Sequence, residues 1–233
     1  MTAPGLQIGL LAFPRLTQLD LTGPFEAFAR IPDATVHLVA KTMDPITSDV
    51  GLILTPTITL AECPDLDVVC VPGGPGINDL LVDDEVLDFL RRQGAKAKWV
   101  TSVCSGGLVL GAAGLLNGYK ATTHWASAEF LEAFGATRVD ARVCVDRNRV
   151  TGGGVTAGID FGLFLTGLLA GQETAERIQL YLEYAPEPPF AAGSPATAPA
   201  EVTAAFYAQA APMLERRAEL VATAAARLKV SRS

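Results

Sequence analysis

The sequence predicts a single α/β domain built on a doubly wound, mostly parallel sheet with helices on both faces. The chain has 233 residues, of which 49% are hydrophobic and 18% charged, so it is long enough for one well-buried domain and short for two. Short apolar, β-branched segments alternate with segments of helical period. Strands that alternate with helices form a parallel sheet, because each helix returns the chain to the edge where the next strand begins.

The first half of the chain supplies the strands of the predicted sheet centre. Strands are expected at 7–13, 35–41, 66–71 and 99–103. A helix follows Thr17, with Pro24 in its first turn, and the amphipathic segment 83–93 forms another, with Asp83 or Asp84 as its cap. The segment 45–60 is rich in Thr, Ile and Leu around Gly51, which predicts a small antiparallel excursion.

The second half predicts a hairpin, a group of helices and a proline-rich connector. Extended structure is expected at 119–124, a short helix at 127–134, a hairpin with its turn at 146–148, and helices at about 155–169 and 173–183. Five prolines make 184–200 a connector. A helical period returns after Glu201, with a kink at Pro212. We therefore divide the chain into an α/β domain, 1–200, and a helical extension, 201–233, packed on the domain or on a partner subunit.

Charge and cysteine usage narrow the possible classes of protein. The net charge of −7 comes from 25 acidic and 18 basic residues. A chain with this balance lacks the basic character typical of nucleic-acid-binding proteins. The four cysteines show no Cys-x-x-Cys spacing, so reduced thiols in a cytoplasm are expected. The uncharged window 99–119 could span a bilayer by length. Its polar residues and glycines instead favour a buried strand, turn and helix, and we expect no membrane association.

Cys104 stands where the strand period of 99–103 changes to a helical period. A side chain on such a strand-to-helix turn lies outside both elements, at the positive end of the helix. That field favours the thiolate and predicts a nucleophile. The alternative is a core cysteine, since free cysteines are commonly buried.

Three further positions lie where predicted strands end, and each has a plain structural alternative. Asp20, between leucines, would have a raised pKa and could carry a proton, or it could cap a helix. The backbone amides of Gly73 and Gly74, like that of Ser105, could stabilise negative charge that develops on a substrate. Alternatively, the two glycines could be required only by the backbone conformation of a turn. His124 could assist a cysteine or could hydrogen-bond the backbone.

A nucleotide or metal site is not favoured. The segment 152–157 matches Gly-x-Gly-x-x-Ala, but it follows a hairpin instead of the first buried strand, which is the wrong context for that fingerprint. Two distant histidines provide no ligand cluster for a metal. We expect neither a cofactor nor a metal.

Six motifs together resemble the DJ-1/PfpI superfamily, and within it the isocyanide hydratases of soil bacteria. They are Leu-Asp-Leu-Thr-Gly-Pro at 19–24, Val-Pro-Gly-Gly at 71–74, Thr-Ser-Val-Cys-Ser-Gly at 101–106, Ala-Thr-Thr-His-Trp at 121–125, the glycine-rich 151–161, and Leu-Glu-Tyr-Ala-Pro at 182–186. The resemblance implies a flavodoxin-like, cofactor-free homodimer. Its nucleophile would be Cys104 and its acidic partner Asp20, an aspartate as in the hydratases where many other members have glutamate.

The resemblance also implies a reaction. The Cys104 thiolate would attack the terminal carbon of an isocyanide, Asp20 would protonate that carbon, and water would release an N-substituted formamide. The supporting residues would be Gly74, Ser105 and His124. The substrate pocket would be formed by Gly152, Gly153, Gly154, Val155 and Thr156.

Two other functions are compatible with the same motifs. AraC-type regulators carry a related sensor domain, but they append a helix-turn-helix module, for which the residues after Pro199 are too few. A DJ-1-like glyoxalase or redox stress protein would use an easily oxidised cysteine, and aspartate at position 20 disfavours it.

Overall fold

The computed structural model describes residues 5–230, which form eleven strands, seven α-helices and one 3-10 helix. The strands are β1 (Gln7–Leu11), β2 (Thr35–Ala40), β3 (Ile46–Thr47), β4 (Ile53–Leu54), β5 (Ile58–Thr59), β6 (Val68–Val71), β7 (Trp99–Val103), β8 (Lys120–Ala121), β9 (Thr137–Arg138), β10 (Val143–Asp146) and β11 (Arg149–Gly152). The helices are α1 (Gln18–Phe28), α2 (Ile77–Leu80), α3 (Asp84–Gly94), α4 (Gly106–Ala112), α5 (Ala157–Ala170), α6 (Gln172–Tyr181) and α7 (Ala200–Val230), and the 3-10 helix is Trp125–Phe134.

Seven strands form the central sheet in the order β10-β11-β7-β6-β1-β2-β5. Every neighbouring pair is parallel except β10 and β11, which form the predicted antiparallel hairpin. The chain adds β2 on one side of β1 and β6 on the other, so the strand order reverses beside β1. The doubly wound, mostly parallel prediction is confirmed. In such sheets ligands bind beyond the carboxyl ends of the strands at this reversal.

The strands at the sheet centre are buried on both faces, which explains their continuous apolar sequences. Leu10, Cys70 and Val100 are fully buried on β1, β6 and β7, as expected for parallel strands covered by helices. Helices α1, α5 and α6 pack together as one layer, and α4 packs with α2, α3, α7 and the 3-10 helix. The uncharged window 99–119 is thus a strand, a turn and a buried helix, and no helix within residues 5–230 is long and apolar enough to cross a membrane.

Helix α1 begins earlier than the position of its proline suggests. Its N-cap is Thr17, and Pro24 lies inside the helix instead of in its first turn as predicted. Because proline has no N–H, the carbonyl of Asp20 lacks its usual helical partner. The cap of α3 is Asp83, which accepts a hydrogen bond from the Val86 amide at 3.3 Å. The excursion at 45–60 contains the antiparallel pair β3 and β4, and its last strand, β5, joins the central sheet beside β2.

The C-terminal helix packs on the α/β body. Along α7 the side chains of Arg217, Val221, Ala224 and Leu228 are buried. The helix contacts α2, α4 and the 3-10 helix. Residues 184–199 contain no helix or strand, in agreement with the predicted connector.

Candidate active site

Cys104 occupies a tight turn between β7 and α4, as the change of period predicts. Its φ of 54° lies in the left-handed region, which non-glycine residues rarely adopt. Its amide donates hydrogen bonds to the carbonyls of Gly152 (3.1 Å) and Gly153 (2.8 Å). Its carbonyl accepts one from the Thr123 hydroxyl at 2.5 Å. These contacts from the end of β11 and from the segment after β8 hold the backbone in its unfavourable conformation.

Asp20 lies in the first turn of α1 and is fully buried. Its Oδ2 accepts a hydrogen bond from the Gly73 amide at 3.0 Å, whereas Oδ1 has no partner with hydrogen-bond geometry within the described residues. Burial raises the pKa of this carboxyl from 3.8 to about 7; contacts with Cys104 and the Gly73 amide lower it, and the charge of Asp49 raises it. Asp20 can therefore hold a proton near neutral pH, as predicted from its apolar neighbours.

The turn after β6 brings the carboxyl and the elbow together. A Cβ atom on Gly73 would lie 2.6 Å from the Ser105 nitrogen and 2.8 Å from Asp20 Oδ2, so only glycine allows this approach. Gly74, at a φ of 125°, donates its amide hydrogen to Ser105 Oγ at 3.0 Å. The Gly74 amide is thus occupied within the turn, and the amide that hydrogen-bonds the Cys104 sulfur is that of Ser105.

The environment of Cys104 favours the neutral thiol. Burial raises its pKa well above the ordinary 9.0, and the negative charge of Asp20 raises it further, while the Ser105 amide and Arg217 lower it. The predicted thiolate is wrong for the buried resting cysteine, because burial outweighs the lowering of the pKa by the Ser105 amide at the start of α4. Helix α4 has only seven residues, and the loss of hydration outweighs its field. The proximity of Asp20 makes the two titrations interdependent.

The geometry of His124 does not suit a general base. Its Nδ1 accepts a hydrogen bond from the Ala126 amide at 3.3 Å and caps the 3-10 helix. Burial lowers its pKa to about 4, and the charge of Arg217 lowers it further, so the ring is neutral at pH 7. The ring stacks on Phe206 of α7, with centroids 6.2 Å apart. This geometry corresponds to the alternative in which His124 hydrogen-bonds the backbone.

A cavity of about 570 Å³ lies behind the elbow. Four of the five predicted pocket residues line it, Gly153, Gly154, Val155 and Thr156, with segments 122–125, 138–142 and 193–196. Gly152 does not; it is buried and receives the Cys104 amide. Cys104 and Asp20 do not line this cavity either. It shares Thr123 and Gly153 with the elbow and is separated from the cysteine by that one layer.

Two features of the site escape motif analysis. Thr123 holds the Cys104 carbonyl, and the Thr-Thr-His-Trp motif draws attention to the histidine instead. Arg217 of α7 is buried and reaches the Gly74 carbonyl from 143 residues away. Its position in an apolar helical period was the only available signal, and an isolated arginine there is more commonly exposed.

Comparison with known proteins supports one family. The DJ-1/PfpI family model matches residues 7–166. An isonitrile hydratase of Pseudomonas putida is 55% identical over 225 residues, which cover 97% of this chain and 99% of that protein. A crystal structure of a THiJ/PfpI family protein from Pseudomonas syringae superposes with a TM-score of 0.91 at 49% identity, covering 93% of this chain and 90% of that one.

A regulator shares only part of the chain. The HTH-type transcriptional regulator GbdR of Pseudomonas aeruginosa is 37% identical over 130 residues, which cover 55% of this chain and 35% of the regulator. The similarity to the hydratase, in contrast, extends over nearly the full length of both proteins.

Proposed function

The chain belongs to the DJ-1/PfpI family, and we propose that it is an isocyanide hydratase, an enzyme that converts an isocyanide and water into an N-substituted formamide. The observation that carries this proposal is the buried pair of Cys104 and Asp20, in which a carboxyl with a pKa of about 7 contacts a cysteine held at a positive φ on the elbow. The full-length similarity to a hydratase supports the same activity. No cofactor takes part in the steps below.

The reaction begins with the pair in its one-proton state. The first proton leaves the pair with an apparent pKa near 7, because burial raises the pKa of Asp20 to about 7. The remaining proton is shared between thiol and carboxyl, and the reactive form is the thiolate beside protonated Asp20. The Ser105 amide hydrogen-bonds the sulfur and stabilises this thiolate.

The thiolate then adds to the terminal carbon of the isocyanide. A carbon–sulfur bond forms as Asp20 gives its proton to the same carbon through Oδ1, the oxygen that has no partner of hydrogen-bond geometry among residues 5–230. The product of this step is a neutral thioimidate on Cys104. A buried, water-poor site favours this step, because it binds the apolar substrate and keeps Asp20 protonated until the proton is transferred.

Water completes the reaction. Asp20, now a carboxylate, accepts a proton from a water molecule that attacks the thioimidate carbon. The second proton of that water moves from the new hydroxyl to the nitrogen, the oxygen becomes a carbonyl as the carbon–sulfur bond breaks, and the N-substituted formamide leaves. Cys104 returns as a thiolate and Asp20 as an acid, so the pair regains its starting charge.

The remaining site residues support this pair. Gly74 fixes the Ser105 hydroxyl, which accepts its amide hydrogen, and His124 orders the segment that carries Thr123. The cavity lined by residues 153–156 has the size of a pocket for a small apolar ligand. Because the layer formed by Thr123 and Gly153 separates it from Cys104, the N-substituent can occupy it during the attack only after that layer moves.

A turnover assay tests the proposal. Purified protein is incubated with cyclohexyl or aromatic isocyanide, and formamide is quantified by chromatography. Wild-type protein is expected to turn over isocyanide, and Cys104→Ala to show none. Cys63→Ser is the matched control, since Cys63 lies half-buried in a loop, and should keep the wild-type rate. Isocyanide turnover that survives Cys104→Ala would exclude the cysteine mechanism. Turnover of methylglyoxal without isocyanide hydration would exclude the hydratase and favour the glyoxalase alternative.

We also propose that the protein is a cytoplasmic homodimer. Four free cysteines fit a reducing compartment. Exposed apolar side chains support self-association: Val50 and Ile53 near the β3–β4 hairpin, and Leu180 and Tyr181 on α6, are 65–82% exposed. Light scattering should give twice the chain mass of 24.4 kDa, and the mass of a single chain would contradict the dimer.

A further inference from the structure

Arg217 is a buried cation that lies against neutral groups. Its side chain is 3% exposed, whereas those of Arg216 and Arg227 on the same helix are 66% and 54% exposed and pair with carboxylates. Within residues 5–230, Arg217 forms no ion pair with a carboxylate. A buried charge without a counter-charge is costly, so proteins retain one where it serves a purpose.

The guanidinium of Arg217 joins three elements behind the elbow. Nε donates to Asn78 Oδ1 of α2 at 2.8 Å, and Nη1 donates to Ser127 Oγ of the 3-10 helix at 2.8 Å. Nη2 lies 3.4 Å from the Gly74 carbonyl. All three acceptors are uncharged. Each binds a different nitrogen of the planar guanidinium, an arrangement of N–H donors that only arginine offers. The third contact is on the turn whose amides hold Asp20 and Ser105.

The charged groups around Cys104 come from two sides. The negative charge of Asp20 on α1 raises the pKa of the Cys104 thiol, and the positive charge of Arg217 on α7 lowers it. His124, at the start of the 3-10 helix, also lies within the field of Arg217 and is neutral at pH 7. Burial lowers the pKa of Arg217 to about 10, and a charge on Cys104 opposes that decrease. Arg217 therefore stays charged near neutral pH, and its charge lowers the pKa of the Cys104 thiol.

We propose that Arg217 is a positioning residue of the Cys104–Asp20 pair, supplying the missing counter-charge for the thiolate and fixing the Gly73–Gly74 turn from helix α7. The proposal rests on the proposed function in one respect, that Cys104 is the nucleophile. Its consequence is that the C-terminal helix completes the site. The thiolate form of the pair depends on a residue outside both the elbow and the family motifs.

Alkylation of Cys104 measures this effect without any isocyanide. The rate of carbamidomethylation by iodoacetamide is followed by peptide mass spectrometry from pH 5 to 10.5, which separates Cys104 from the other three cysteines. Arg217→Met keeps the apolar stem and removes the charge. We expect it to slow alkylation at pH 7.5 by about tenfold, equivalent to a rise of about one unit in the apparent pKa.

Two further variants separate charge from structure. Arg217→Lys retains the charge and loses the fork, so its profile should lie nearer to the wild type than that of Arg217→Met. Arg216→Met, at the neighbouring exposed position, should leave the profile unchanged. Folding of each variant is checked by circular dichroism and thermal denaturation. An unchanged profile in folded Arg217→Met, or equal shifts in Arg216→Met and Arg217→Met, overturns the proposal.

The test remains decisive if Arg217→Met does not fold. Asn78→Ala and Ser127→Ala then release the guanidinium without removing it, and both are expected to slow alkylation in the same direction by a smaller factor. Wild-type profiles in both variants overturn the proposal. Because no substrate is used, a pKa shift without isocyanide turnover would count against the proposed function alone, and turnover without a shift would count against Arg217 alone.

Discussion

Substitution of Asp20 by asparagine should make the folded protein less stable than the wild type at low pH and more stable than it above pH 7. In the folded protein, burial raises the pKa of Asp20 from 3.8 to about 7, so between these values the folded state holds a proton that the unfolded state has lost. The stability from this proton is fully present below pH 3.8 and is lost as the pH rises through 7. Asparagine is neutral throughout and avoids that loss.

The magnitude follows from the two pKa values. A difference of roughly three units corresponds to about 4 kcal/mol, at about 1.4 kcal/mol per unit. Because Asp20 is fully buried, solvent screening does not reduce this figure. Roughly 2–3 kcal/mol of it falls between pH 5 and pH 8, equivalent to a change on the order of 5–10 °C in melting temperature for a chain of this size. The asparagine NH₂ group, left without a partner, costs about 1–3 kcal/mol at every pH.

The assay compares urea or thermal denaturation of the wild type and Asp20→Asn at several pH values between 4.5 and 8.5. The difference between the two proteins is the result, since the titrations they share cancel. Asp140→Asn is the matched control, because its side chain is 82% exposed, and it should give a small difference independent of pH. An Asp20→Asn difference that stays constant from pH 5 to pH 8 would refute the raised carboxyl pKa.

Three other predictions concern the elbow. Gly73→Ala places a Cβ 2.6 Å from the Ser105 nitrogen and should reduce kcat/KM about 100-fold; steady-state kinetics near the wild-type values would contradict the close approach. The pH profile of kcat/KM should rise with an apparent pKa near 7 as the pair loses its first proton, and Asp20→Asn should abolish turnover at every pH. A rate that falls between pH 6 and 8 would exclude the one-proton state. The side chain of Leu108 on α4 is fully buried, so Leu108→Ala should lower the free energy of unfolding by about 2–5 kcal/mol in urea denaturation. Val202 on α7 is 50% exposed, and Val202→Ala should change it by no more than about 0.5 kcal/mol.

Much of the architecture could be predicted, because strands and helices are encoded locally. The buried strand Trp99–Val103 has the bounds that its apolar, β-branched sequence predicts, and the change of period at Cys104 marks the turn. The pKa of Asp20 is raised by burial, as the leucines on either side of it predict. Errors arise where local preference competes with distant contacts. Pro24 lies inside α1 instead of in its first turn, and the two-residue strand β5 is recognisable only by its pairing with β2.

The electrostatics of the site depended on groups far apart in the sequence. The sequence by itself determined which residues meet at the elbow, since parallel strands deliver their carboxyl ends, and hence Asp20, Gly73 and Cys104, to one edge of the sheet. Tertiary structure alone decided the charge state of Cys104, because the pKa of a thiol depends on its burial and on every charge within several ångströms. Packing removed water from Cys104 and raised its pKa, and it placed Arg217 behind the Gly74 carbonyl from the other end of the chain.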